Sequence, residues 1–442
     1  MKKKWIKYIK IFLCIFVIGI TALYGAWRVW FDPYRGTVST FGQSKRLDTV
    51  LTGKQAAEDL EYIVNRLKER HPACISDLPA PVRKAYEQEH TKLSESAEVT
   101  VLSLWQSASR VLACLNDAHT MVRVYYEDTK FLPLSFSWEG RHLICSGGEF
   151  DGYTVVMIGG VPVSRLYEQF REMFSYELDA WARHAFASRI IRSDYLAFAG
   201  IDIGKDIDVT LMRQNDGSLV NKAFALQEND IAMPVETEAF YDYSVDRESG
   251  IGIFTLRLCI FDENYNTALK DFFASVREEG VHSVIVDLRG NPGGNSLVVN
   301  EFLRYLPVES YQDGSSEVRF GPVIWKNRPG RQKNEQAEYV FSGDVYVLTS
   351  TDVFSSAVDF ATLLSDNGLC TVVGEIPGNM PSSYGDILYF QSPNASLVFT
   401  VSYKYFTRPD ESKSNLPLLP DIQVPAHEAM EEALRLISIK TP

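Results

Sequence analysis

Among 442 residues there are only six cysteines, and no two of them stand as C-x-x-C. Neither a tetrahedral zinc site nor a disulfide framework is indicated, and no metal or organic cofactor is expected. Cations are outnumbered: 44 Lys and Arg against 57 Asp and Glu leave a formal net charge of −13. Phosphate binding needs clustered cations, so nucleic acid is not the expected partner. Internal repeats and low-complexity tracts are absent. The turn Gly290-Asn291-Pro292-Gly293-Gly294 lacks both the spacing and the following lysine of a nucleotide-phosphate cradle. Between Thr371 and Tyr403 there is no lysine at all.

Apolar content is ample, with 45% hydrophobic and 12% aromatic residues, enough for a large core and two or three domains. One apolar run stands apart. Lys2, Lys3, Lys4, Lys7 and Lys10 precede an uncharged stretch from Ile11 to Trp27, with Tyr24, Trp27 and Trp30 at its far end. A single transmembrane helix is expected, its lysines in the cytoplasm and the rest of the chain outside. The rival is a cleaved signal peptide; the length of the run and the lack of an A-x-A site favour a retained anchor.

The remaining pattern divides the chain. Residues 1–31 read as cytoplasmic tip and anchor, 32–51 as linker and 52–120 as a helical subdomain. Residues 121–240 read as a β-rich middle region with an acidic connector from Glu228 to Glu238, and 241–442 as an α/β core with a C-terminal hairpin and helix. In the middle region one helix is predicted from Trp181 to Phe198, and in the core an irregular stretch reaches Gln336. Strands and helices alternate from Gly250 onward, which implies βαβ units around a buried sheet.

Three loops have the residue types for chemistry. The β-branched run Val284 to Leu288 breaks into the glycine turn, whose backbone N–H groups suit a transient oxyanion. Phe354-Ser355-Ser356-Ala357 lies between a strand and a helix; its serines suit either a helix cap or a nucleophile. His119 follows a helix beside Asp117, and an imidazole can take a proton from a serine near neutral pH.

Together Asp117-Ala118-His119-Thr120, Asp287-Leu288-Arg289-Gly290-Asn291-Pro292-Gly293-Gly294 and Phe354-Ser355-Ser356-Ala357, followed by Val373-Gly374-Glu375, resemble the C-terminal processing peptidases and the tricorn protease core. The resemblance implies an α/β catalytic core of Clp protease/crotonase type and a serine peptidase without a cofactor. Met380 stands where the lysine of the Ser/Lys branch aligns, so the tricorn-like Ser/His branch fits better. By that resemblance Ser355 is the nucleophile, with Ser356 the alternative after a one-residue shift, and His119 is the base. Backbone N–H groups of Gly293 or Gly294 and of Ser356 would form the oxyanion hole. Asp410, Glu411 and Asp117 are the alternatives for an acid that orients His119. Ala118 replaces the serine that precedes the histidine in tricorn. Tyr153 to Phe174 resembles part of a PDZ module, and an unrelated β-rich insert fits it equally. The function implied is a membrane-anchored extracytoplasmic serine endopeptidase acting on protein or peptide. The alternative is an inactive relative that binds peptide or lipid, as interphotoreceptor retinoid-binding protein is a non-proteolytic member.

Overall fold

The computed structural model describes residues 2–228 and 240–440; most of the acidic connector expected up to Glu238 lies outside them. An N-terminal helix, Lys2–Trp30, carries a span from Lys10 to Trp30 with mean hydropathy 1.9, none of it buried against the rest of the protein. It is long and apolar enough to cross a membrane. Asp32 closes it by pairing with Arg28, and Tyr34 then stacks edge-on against Tyr403 of the folded body.

The helical region follows as predicted. Gly53–Arg70 begins at a capping box in which Thr52 and Gln55 satisfy each other's backbone N–H. It ends at His71-Pro72, where Arg319 donates to the carbonyls of Lys68 and His71 at 2.5 Å each. Leu60, Ile63, Val64 and Leu67 are fully buried and pack on Leu104, Val111 and Leu112 of the helix Val101–Ala113. The same core includes Phe390, Phe399 and Val401 from the C-terminal hairpin, Tyr384–Gln391 and Val398–Thr407. Asp59 locks the two together, because its buried carboxylate accepts from Ser392, Asn394 and Ala395 at the hairpin turn.

The middle region forms a sheet in the order Leu219–Phe224, Ile207–Met212, Thr154–Ile158, His142–Cys145, Phe136–Glu139. Here one expectation fails. Trp181 to Phe198 is two helices, Asp179–Arg189 and Ser193–Phe198. The break has a tertiary cause: Ile191 gives its carbonyl to Leu132 N–H at 2.7 Å and Arg192 pairs with Phe131, so this backbone serves a sheet edge.

A six-stranded sheet organises the C-terminal part. Its order is Tyr241–Asp246, Ile251–Leu256, Ser283–Asp287, Asp344–Thr349, Thr371–Gly374, Ile422–Gln423. The first pair is antiparallel and every other pair is parallel. Helices Glu263–Glu278, Leu297–Leu303 and Ser356–Asp366 pack in one core, and Ala429–Lys440 in another. The stretch expected to be irregular up to Gln336 contains the hairpin Ser315–Phe320 and Val323–Asn327. That hairpin is recruited by the long strand Val398–Thr407, a partner that alternation alone does not reveal.

Candidate active site

Ser283–Asp287 and Asp344–Thr349 are parallel neighbours with Asp287 opposite Leu348. The loops that follow them therefore leave the same sheet edge side by side, which brings the glycine turn to Ser355. Arg289 braces the turn with two bonds to Asp287, 2.9 and 2.7 Å, and a third to the Ala426 carbonyl. Asn291 organises it further: its carbonyl accepts Phe354 N–H at 3.0 Å and its side chain donates to Leu256.

Gly293 lies against the serine turn. A Cβ there would stand 2.6 Å from the Phe354 carbonyl oxygen and 2.7 Å from Ser355 Cβ, so no other residue fits. Its φ of +100° adds a second reason. Gly293 N–H is already spent on Asn291 Oδ1 at 2.8 Å. Gly294 N–H and Ser356 N–H have no hydrogen-bond partner among the described residues. Of the donors expected from the sequence, these two are free.

The two serines differ sharply. Ser356 is 5% exposed; its hydroxyl donates to the Gly294 carbonyl at 2.8 Å and lies 3.0 Å from Ser296 Oγ. Ser355 is half-buried and its hydroxyl makes no hydrogen bond. Its backbone has φ +53° and ψ −124°, a conformation that costs on the order of 1–3 kcal/mol for a non-glycine residue. Asn379 helps hold it there, accepting Ser355 N–H at 2.6 Å. Strained turns between strand and helix are where hydrolases expose a nucleophilic hydroxyl.

His119 approaches from the helical side. Its loop is pinned to the C-terminal hairpin: Thr400 Oγ1 donates to His119 O at 2.6 Å and Ser402 N–H to Thr120 Oγ1 at 3.0 Å. The ring faces Phe354 at 4.7 Å, and Phe354 stacks on Trp181 at 4.5 Å. Both ring nitrogens are buried and without a partner, so the Ser355–His119 hydrogen bond is not made in this structure. Burial lowers the imidazole's pKa below its ordinary value, with Asp117 and Asp386 opposing, which favours the neutral, proton-accepting form.

Asp117 sits beneath this ring. It is fully buried and accepts from His119 N–H at 2.9 Å, His71 Nε2 at 3.1 Å, Thr120 Oγ1 at 2.5 Å and Ser402 Oγ at 2.7 Å. Since His71 Nδ1 accepts Ala73 N–H, Nε2 carries the proton it gives to Asp117. Burial alone would raise the carboxyl; these partners outweigh it and hold the pKa at about 2. His119 Nδ1 is 3.8 Å from Asp117 Oδ1, too far for a hydrogen bond. The other two acids lie elsewhere. Asp410 bonds to Ser412, Lys413 and Asp366, and Glu411 is exposed in the following turn, so neither contacts His119.

A third group completes the cluster and has no sequence signature. Glu177, in the loop before Asp179–Arg189, brings its carboxylate within 4.8 Å of the Asp117 oxygen and a His119 nitrogen. It accepts Met380 N–H at 2.7 Å and Ala118 N–H at 3.4 Å. Burial and neighbouring Asp117 push its pKa up to about 8, against those two bonds. Three such ligand atoms could hold a metal ion. Asp117, however, is saturated with donors, and both Glu177 oxygens already accept a backbone N–H.

Residues 252–424 match the model of Peptidase family S41. The chain is 25% identical over 250 residues to a carboxyl-terminal-processing protease of Picosynechococcus sp., covering 53% of this chain and 56% of that protein. It is 29% identical over 96 residues to a probable CtpA-like serine protease of Staphylococcus haemolyticus, covering 21% and 19%. The chain thus spans about half the length of the first relative and less of the second. Among solved structures, mature CPAF superposes with a TM-score of 0.67 at 14% identity, over 88% of this chain and 99% of that one. Mature CPAF complexed with lactacystin gives 0.65 at 12%, over 88% and 97%. The fold is shared across nearly the whole of mature CPAF, and residues 252–424 are the part of this chain that is similar to Peptidase family S41.

Proposed function

We propose that the chain is a membrane-anchored serine endopeptidase working outside the cytoplasm on protein or peptide substrates. One observation carries the reading. The Ser355 hydroxyl is unengaged on a strained turn beside two unpartnered N–H groups, those of Gly294 and Ser356. Ser355 Oγ attacks the scissile carbonyl. His119 takes its proton and later gives it to the leaving amine. The tetrahedral oxyanion then accepts from Gly294 and Ser356, each donor contributing on the order of 3 kcal/mol. A buried imidazole with no partner costs about 1–3 kcal/mol, and a serine hydroxyl brought to it by bound substrate removes that cost. Catalytic hydrogen bonds are often open before substrate binds. Asp117 and Glu177 act as positioning residues behind His119.

The apolar helix supports the anchor. Lys10 at one end and Trp27 and Trp30 at the other support a span with the folded body on the side opposite the lysines.

Fluorophosphonate labelling of the full chain tests the reading. Label is expected on the wild type and on Ser356→Ala, and none on Ser355→Ala or His119→Ala. Label that survives Ser355→Ala and disappears in Ser356→Ala would reverse the serines. A wild type that takes no label and cuts no member of a broad peptide library would make this a binding protein.

A further inference from the structure

A cavity of about 220 Å³ that the chemistry above does not use runs along the helix Ser356–Asp366, lined among others by Ser296, Asp313, Asp359, Thr362, Pro381 and Arg408. Ser296 joins it to the serine turn: its hydroxyl lies 3.0 Å from Ser356 Oγ and donates to Asp359 Oδ2 at 2.9 Å. Pro381 reaches the same turn through Asn379, which holds Ser355 N–H. Asp359 is four residues past Ser355, about 6 Å along the helix axis, which is within the reach of one long side chain.

The polarity of this cavity is one-sided. Asp359 and Asp313 have no cationic partner among the described residues. Arg408, the cation in the wall, is consumed by Asp366 through bonds of 2.9 and 2.6 Å and by the Leu416 carbonyl. Asp386, which acts on Asp359 from a distance, is itself paired with Lys404. Burial pushes Asp359 up to about 6 and raises Asp313, as expected of carboxylates desolvated without a counter-charge. Thr362, one turn beyond Asp359, is 1% exposed and its hydroxyl has no hydrogen-bond partner. A buried hydroxyl left unpaired in the wall of an acidic cavity is an acceptor that an ammonium or guanidinium would satisfy.

We infer that this cavity is a specificity pocket for a lysine or arginine side chain flanking the bond that Ser355 attacks. The inference rests on the peptidase reading for its position, while the preference for a cation comes from the cavity alone. A carboxylate at the base of a pocket selects a basic side chain by pairing with it and by leaving itself unpaired against an apolar one.

The test uses the full chain and a library of short peptides, each made in a lysine and a norleucine version. Binding to Ser355→Ala, which needs no turnover, is expected to favour the lysine versions by at least about ten-fold. Asp313→Asn and Asp359→Asn on that background are expected to bring the ratio toward one, with norleucine binding unchanged. In the active chain kcat/KM should show the same preference. Equal binding of the two versions, or a lysine preference that survives both aspartate changes, overturns the pocket even if peptides are cleaved. Failure of the peptidase reading is separate, since it appears as a wild type without label or cleavage whatever the binding ratio.

Discussion

Met380 donates its backbone N–H to Glu177 Oε2 at 2.7 Å. Met380, which the resemblance aligns with the lysine of the Ser/Lys branch, thus serves through its main chain the carboxyl group near His119. The cluster is split in protonation state: Asp117, held at about 2, is ionised at neutral pH, while Glu177, pushed up to about 8, keeps its proton. Two acids whose environments drive them apart mark a site where one fixes charge and the other shape.

Glu177→Gln preserves the neutral shape and is expected to keep activity near pH 7 within about three-fold. The wild-type pH–rate profile should bend near 8 as Glu177 ionises, and the glutamine variant should lose that bend. The stability sign follows from a raised carboxyl pKa. The wild type is at its best below the ordinary value of 4.5 and loses stability as pH rises through about 8, so Glu177→Gln should gain in thermal midpoint relative to it over that interval. Parallel melting curves at pH 5 and 8 that keep a constant difference would refute this.

Asp117→Asn acts in the opposite direction. A carboxyl lowered from 3.8 to about 2 stabilises the fold above the ordinary value and loses that contribution as pH falls through about 2. The variant should be less stable at pH 7 by about 2 kcal/mol, with the gap closing toward pH 2. Denaturant titrations at both ends of that range measure it.

Gly293→Ala should abolish the serine turn's geometry. Its Cβ has 2.6 Å to the Phe354 carbonyl oxygen and 2.7 Å to Ser355 Cβ, so the turn must move. Fluorophosphonate labelling is expected to slow by at least about 100-fold. Gly290→Ala is the control: its nearest neighbour would be Asp352 Oδ2 at 3.9 Å, so it carries a positive-φ cost without displacing Ser355.

Membrane retention is the fourth prediction. The intact 49.9 kDa chain should stay in the membrane fraction through an alkaline wash, and a chain beginning at Asp32 should leave it. Recovery of only a shortened, soluble form from cells producing the full chain would identify the helix as a cleaved signal.

Local pattern made much of this protein legible. The capped helix Gly53–Arg70 and the buried strand Ser283–Asp287 follow from apolar periodicity and turn residues, which act within a few positions along the chain. Trp181 to Phe198 was not legible as two helices, because Leu132, 59 residues before Ile191, takes the Ile191 carbonyl. The hairpin Ser315–Phe320 and Val323–Asn327 was hidden likewise, since its partner strand lies near the C-terminus.

The sequence by itself determined the three loops, their order and the family they resemble, because glycine turns, strand-to-helix serines and a histidine at a corner are local signals. Only the tertiary structure decided which groups are free to act. Ser355 and Ser356 are adjacent and chemically identical, yet one hydroxyl is bound to Gly294 and the other is not. Gly293 and Gly294 differ in the same way, through Asn291. Glu177 is one acid among 57 acidic residues until folding sets it beside His119. A hydrogen bond and a desolvated charge depend on neighbours distant in the chain, and those neighbours exist only once the parallel strands and the C-terminal hairpin have brought the loops together.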